Sequence, residues 1–320
     1  MSLFQEIRDA SREVAEHAQF VRVNRAVLQR YAHAISAEDL AAAKLDPARH
    51  LLDHGADTVA FIVTLDTINF GSGWFPHLKK RPGMSGYFTV ASALSDLFRA
   101  EVPLSPSRLA HLTAAECARI FGQDPRNALA RELMERFAAA PNDLGRLLID
   151  SYGGSFSSLI ESAGNSAEQL VRLLSAMPFF DDVADLRGRR VPFYKRAQLT
   201  AADLALGFEG QGWGRFDDLG ELTIFADNLV PHVLRMDGIL LYAPVLAARI
   251  DSEELIPAGS PEEVEIRAGA LHAVELMAGE LRQAGRPTTA MSIDFFLWNR
   301  GQQPSYKLAK PRHRTRTVFY

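Results

Sequence analysis

The sequence predicts an essentially all-α fold, and three observations carry that expectation. Apolar residues recur at helical spacing, as with Leu3, Ile7, Ala10, Val14 and Ala18 across residues 2–21. Helix-start signals are frequent: Ser105-Pro106, Thr113 with Glu116, Asp124-Pro125, Ser166 with Gln169, and Ser260-Pro261 with Glu263. Strand signals are weak, because few stretches alternate β-branched and polar residues, and neither an Asn-Gly hairpin nor a repeat period is visible. A single compact domain is expected over residues 1–320, its best internal boundary being the Gly- and Ser-rich stretch 151–166.

Taken in order, further helices are expected over 24–37 and through the alanine-rich 38–45. Asp46-Pro47 then resembles an N-cap with proline in the first turn, introducing a helix that runs toward residue 70. FFDDVADLRG (179–188) is polar enough for a surface turn. VPFYKRAQLTAADLAL (191–206) reads as a helix opened by Lys195 and Arg196, for which exposed cations beside a turn are the plain explanation. The first half of 216–242 reads as a buried amphipathic helix carrying Leu219, Leu222, Ile224, Phe225, Leu229 and Val233. A long helix is expected from Ser260 through about 284, and another over 291–302 with Asp294 and Trp298 on one face. The basic tail, residues 307–320, ends in Val318, Phe319 and Tyr320, which gives it something to bury, so it is expected to dock.

Composition narrows the function classes. With 320 residues, 47% hydrophobic and 23% charged, the chain has the make-up of an ordinary globular protein with a sizeable core. A formal net charge of −4 argues against broad nucleic-acid binding, yet is compatible with a small anion held by local cations. Cys117, the single cysteine, excludes an intramolecular disulfide and a multi-thiolate metal site. His50 and His54 lie four apart without a carboxylate in a ligand pattern, and no P-loop or dinucleotide fingerprint occurs, so neither metal nor cofactor is expected. With no apolar signal core and no run approaching a membrane span, a cytoplasmic location is expected.

Three places carry chemistry. Asp227 stands in FADN between Phe225, Ala226 and Asn228, with Pro231 and His232 following; burying such a carboxylate costs several kcal/mol unless it is partnered or used. For one aspartate taken alone, a helix cap is the better explanation. Asn69, Phe70 and Trp74 flank a glycine-broken turn in INFGSGWFP, either an interhelical turn or the wall of a base-binding pocket. Asp294 sits among Ile293, Phe295 and Phe296, where a structural salt bridge to the basic tail competes with a ligand contact.

INFGSGW, FYKRAQ, FADN and DFFLW, in that order along residues 50–320, resemble blocks of the queuosine salvage proteins. That family hydrolyses queuosine 5′-monophosphate to release the base queuine. The resemblance implies a fold similar to helix-hairpin-helix DNA glycosylases, a catalytic Asp227, and substrate contacts from His50, Asn69, Phe70, Trp74, Phe225, Ala226, Asn228, His232, Asp294 and Trp298. It also implies that Lys195 contacts an anionic group or hydrogen-bonds the catalytic region. Compared with the lysine–aspartate pair of bifunctional DNA glycosylases, the segment between Lys195 and Asp227 is unusually long, so hydrolysis through the aspartate is expected rather than a Schiff base. A carboxylate there would stabilise the ribosyl oxocarbenium ion and activate water. The 5′-phosphate would need a local cationic group, either Lys195-Arg196 or, preferably, the tail with Lys307, Lys310, Arg312, Arg314 and Arg316. A small-molecule substrate is expected, with no stable nucleic-acid partner and no membrane. The competing reading is a non-catalytic helical nucleotide- or RNA-binding protein in which Asp227 only grips the ligand.

Overall fold

The computed structural model describes residues 1–41, 43–100 and 104–320. Helices account for 58% and strands for 5%, so the helical expectation is met, with two short antiparallel strand pairs added among the described residues. Helix α1 (Leu3–Glu16) is capped by Ser2, whose hydroxyl accepts from the Gln5 amide. It stops short of residue 21 because β1 (Val21–Val23) pairs with residues 240–242. Next come α2 (Arg25–Ala34), capped by Asn24, and α3 (Ala37–Ala41). Ala42, part of the helix expected over 38–45, lies outside the described residues.

Asp46-Pro47 does not open a helix. The Asp46 Oδ1 accepts from the Ala48 amide at 2.9 Å and closes a turn, and Asp53 and Gly55 adopt φ of 64° and 56° before α4 (Ala56–Thr67) begins. The chain continues through α5 (Gly86–Ala100), α6 (Pro106–Ala110), α7 (Ala114–Ile120), α8 (Ala128–Tyr152), α9 (Phe156–Glu161) and α10 (Ala167–Leu174). Ser105, Thr113 and Ser166 cap their helices as expected, Thr113 and Glu116 forming a reciprocal capping box. Asp124-Pro125 instead makes a turn in which Asp124 accepts from the Arg126 amide, and α8 is capped by Asn127.

Residues 179–188 are more than a surface turn: they lead into a hairpin of β2 (Val183–Leu186) and β3 (Arg189–Pro192). Its connection, Arg187-Gly188, has φ of 56° and 78°, the backbone of a two-residue hairpin turn, and an arginine in the first left-handed position conceals that signal. Helix α11 (Lys195–Gly207) opens where expected, but Lys195 and Arg196 are both buried, which overturns the exposed-cation explanation. The amphipathic helix expected in the first half of 216–242 is absent. A 3-10 turn at Leu219–Glu221 leads into a non-helical stretch, and α12 (Leu229–Met236) begins only after Asn228. Leu222 through Ala226 are buried one after another rather than along a stripe, which periodicity cannot tell from a buried helix. Then come β4 (Leu240–Tyr242), α13 (Pro244–Asp251), α14 (Pro261–Gln283), α15 (Ala290–Gly301) and α16 (Pro304–Lys307). The tail is ordered, with His313, Thr315, Thr317 and Tyr320 buried.

The chain forms two compact units. The first gathers residues 1–43, 182–195 and 220–316 around α14, which touches α1, α2, α12, α15 and both strands of the β1–β4 pair. Ile7, Leu271 and Val274 within it are fully buried, each contributing about 1.5–3 kcal/mol of apolar burial. The second gathers residues 44–181, 196–219 and 317–320, with α8 packed on α4, α6, α7 and α9. Residues 151–166 fall inside this second unit.

Two glycines give a test of the packing. A Cβ on Gly145 of α8 would overlap the backbone of Pro106 and Ala110 in α6, whereas one on Gly279 of α14 would meet nothing within 4 Å. Gly145→Ala should therefore cost about 1–3 kcal/mol, and Gly279→Ala should gain about 0.5–1 kcal/mol. Urea-unfolding midpoints that move in the same direction for both variants would contradict this packing.

Candidate active site

Asp227 is the one residue between Leu222 and Leu234 that is not buried. Its Oδ1 accepts from the amides of Leu229 at 2.7 Å and Val230 at 3.0 Å, so the carboxylate does cap α12, as the plainer explanation of the sequence has it. Capping uses one oxygen; among the described residues, Oδ2 accepts no hydrogen bond from the protein. The loop around it is fixed at each residue. The Phe225 amide donates to Asp294 Oδ1 at 3.0 Å, the Ala226 carbonyl accepts from Arg267 Nε at 2.9 Å, and Asn228 Nδ2 donates to the His313 carbonyl at 3.3 Å. The Phe225 ring meets Phe295 edge-on, 5.8 Å between centroids.

Asp294 and Trp298 share a face of α15, with Asp294 buried and Trp298 half-buried. Burial, then the charge of Asp227, pushes the Asp294 carboxyl up to about 8; the Phe225 amide and Lys195 oppose that rise without cancelling it. His232 is buried in α12 and its Nε2 donates to the Tyr306 carbonyl at 2.9 Å, with burial lowering its pKa. Beside it, burial and the cations Arg267, His232, Arg312 and Arg235 push His313 down to about 3. Arg312 is lowered by burial, with Asp227 as the opposing charge. The first unit thus brings together Lys195, Phe225, Ala226, Asp227, Asn228, His232, Asp294 and Arg312 of the residues expected from sequence, and adds Arg267. A cavity of about 280 Å³ in this unit is lined by Glu13, His17, Arg189 and Glu265, and by none of those residues.

His50, Asn69, Phe70 and Trp74 belong to the second unit. His50 Nδ1 donates to the Asp46 carbonyl at 2.9 Å, which leaves Nε2 as the acceptor for the Tyr87 hydroxyl at 3.3 Å. Asn69 Nδ2 donates to Asp66 Oδ1 at 3.4 Å. Phe70 is buried against Phe137 and Phe179, with centroids at 5.2 and 5.9 Å. Trp74 is buried, and its indole N–H has no hydrogen-bond partner among the described residues. Behind Phe70 lies Arg196, stacked 4.9 Å from its ring and 4.6 Å from that of Phe180. Its guanidinium donates to the carbonyls of Asp66, Thr67, Phe179 and Val318.

Two residues that position the Asp227 loop, Asp182 and Arg267, were not singled out by their sequence context. Arg267 did leave a signal, an arginine inside the apolar run of α14 at IRAGA. Asp182, in FFDD, has none that marks it apart from its neighbour. Among the described residues no group of three or more His, Cys, Asp or Glu could hold a metal, and no helix is long and apolar enough to cross a membrane.

The profile of the Queuosine salvage protein family matches residues 49–320, and the chain belongs to that family. Relatives named queuosine 5′-phosphate N-glycosylase/hydrolase include one from Sphaerobacter thermophilus, 39% identical over 97% of this chain and 96% of its own length. One from Dictyostelium discoideum is 35% identical over 82% of this chain and 78% of its own. A third, from Mus musculus, is 29% identical over 98% of both.

The protonation of Asp294 has a consequence for stability. Between its ordinary 3.8 and about 8, the folded chain holds a proton that the unfolded chain has lost, so stability falls as pH rises through that window. Asp294→Asn keeps an oxygen for the Phe225 amide and removes the titration. The melting temperature of the variant relative to the parent should rise steadily from pH 5 to pH 8; parallel curves would refute the assignment.

Proposed function

We propose that the chain hydrolyses the N-glycosidic bond of queuosine 5′-monophosphate. Water adds to the ribose C1′, and queuine leaves with the electron pair of the broken bond and gains a proton, giving ribose 5-phosphate. Membership of the family and the names of its relatives make the chain a glycosyl hydrolase; the substrate is inferred from those same names. The observation that carries the role of Asp227 is its partial exposure within a buried stretch, with one carboxylate oxygen held by two amides and the other accepting no hydrogen bond from the described residues.

A carboxylate fixed in that way faces the positive charge that develops on the ribosyl ring as the bond breaks. Its second oxygen is available to orient or deprotonate the attacking water. Asp294, which keeps its proton at neutral pH, adds no second negative charge beside it. Lys195, buried at the start of α11 within electrostatic reach of Asp294, contributes a cation to the same surroundings. A fold similar to helix-hairpin-helix DNA glycosylases is part of this reading, supported by the helical class and the family blocks.

The 5′-phosphate is assigned to the tail. Lys310 pairs with Asp251 at 3.0 Å and Arg314 with Glu253 at 3.4 Å, whereas Lys307 and Arg312 form no salt bridge among the described residues. Arg312 helps to lower the pKa of Lys307, second to burial, as a neighbouring cation does, and a phosphate would relieve that repulsion.

Two experiments test the proposal. Asp227→Asn should slow queuine release from the monophosphate by about 10²–10³-fold or more while queuine affinity is retained; near-parental turnover followed by chromatography would sink the role. Lys307→Gln combined with Arg312→Gln should cost the monophosphate about 100-fold or more in kcat/KM, from roughly 1.5–3 kcal/mol per charge-assisted contact, and the nucleoside far less. Equal losses on both substrates would move the phosphate elsewhere.

A further inference from the structure

We infer that Arg267, oriented by Asp182, is the positioning residue that sets the direction of the Asp227 carboxylate. This rests on the reading of Asp227 as the working acid. The Ala226 carbonyl that Arg267 Nε holds belongs to the same rigid peptide plane as the Asp227 nitrogen. Fixing that plane fixes one side of the Asp227 backbone, and the amides of Leu229 and Val230 fix the other by holding Oδ1. Without the first restraint the plane can rotate, carrying the Asp227 Cα–Cβ bond away from the position the amides match.

Arg267 is itself held on every side. Its Nη1 and Nη2 donate to Asp182 Oδ1 and Oδ2 at 2.9 and 2.6 Å, the forked geometry that only guanidinium supplies. Glu263 Oε1, one turn away on α14, lies 3.5 Å off, and the guanidinium stacks 4.0 Å from the centre of the Phe193 ring. Asp182 also holds backbone, since its Oδ2 accepts from the Lys195 amide at 3.0 Å, at the start of α11. One carboxylate therefore couples the backbone that carries Lys195 to the arginine that restrains Asp227. A purely structural ion pair would have no need to direct its remaining Nε–H at the peptide preceding the acid.

The test uses the full-length chain with queuosine 5′-monophosphate as substrate and queuine as the binding probe. Arg267→Lys retains the charge but cannot donate at once to Ala226 and to both oxygens of Asp182. It should lower kcat by about 10–100-fold, the scale of a misplaced reacting group, with queuine affinity within about threefold of the parent. Asp182→Asn, the milder variant, should give a smaller loss in kcat of the same kind. A crystal structure of Arg267→Lys, read independently of turnover, should show the Asp227 carboxylate displaced from the Leu229 and Val230 amides. Failure of the parent to release queuine would count against the proposed function alone, because the crystallographic arm still decides the positioning role. An unmoved Asp227, kcat within about threefold of an active parent, or equal loss of kcat and queuine affinity would each overturn the inference. So would loss of the fold in both variants, which would assign the pair to folding.

Discussion

The Asp182–Arg267 ion pair is the interaction on which the architecture of the first unit turns. Its side chains are 3% and 2% exposed, and burying two charges is costly even when they meet. The cost is offset because every partner is used: two bonds between the groups, a carbonyl from Ala226, an amide from Lys195 and an aromatic face from Phe193. Removing Arg267 would leave two buried carboxylates, Asp182 and Glu263, without that cation, typically a loss of about 3–5 kcal/mol. The pair joins α14, the residue that leads into the β2–β3 hairpin, the start of α11 and the loop before α12. Directional bonds fix such a junction more narrowly than apolar packing alone can.

A second buried arginine does comparable work in the other unit, by a different route. Arg196 takes four backbone carbonyls as acceptors and stands between two phenylalanine rings. Two of those carbonyls end α4, where the helix dipole places partial negative charge, so a cation there is favoured. The Val318 carbonyl ties in the last residues of the chain, and the Gly71 amide donates to the Tyr320 carbonyl at 3.0 Å. Gly71 has φ of 105°, a conformation open to glycine, and a Cβ there would press on Leu133. The INFGSGW turn is thus built around a cation and the final residues of the chain, features that lie far from it in sequence.

Much of this is legible from the residues. Helix starts declared by Ser or Thr with a following amide partner stand where expected at Ser105, Thr113, Ser166 and Ser260, because capping is a local interaction with a local signature. Asp-Pro misleads twice, at Asp46 and Asp124, since the same side-chain bond to a nearby amide closes a simple turn. The loop that carries Asp227 reads as helix because total burial erases the alternation by which helix and loop are told apart. Asp227 itself stands out from its apolar neighbours. Its supports do not, because Asp182 and Arg267 become partners only through tertiary folding, and no spacing along the chain records an ion pair 85 residues apart.

The way the chain is shared between the units bears on how it is made. Each core is assembled from three separated segments, and residues 182–195 interrupt the second unit to complete the first. No single cut would separate one core from the other. On the ribosome, the first unit cannot close until α14 and α15 have emerged, long after α1, so α1 must wait with Leu3, Phe4 and Ile7 uncovered. Such long-range closure slows folding relative to a bundle of sequence neighbours. The charged flank of α1 includes Arg8, which finds its partners Glu221 and Glu275 only in the finished fold.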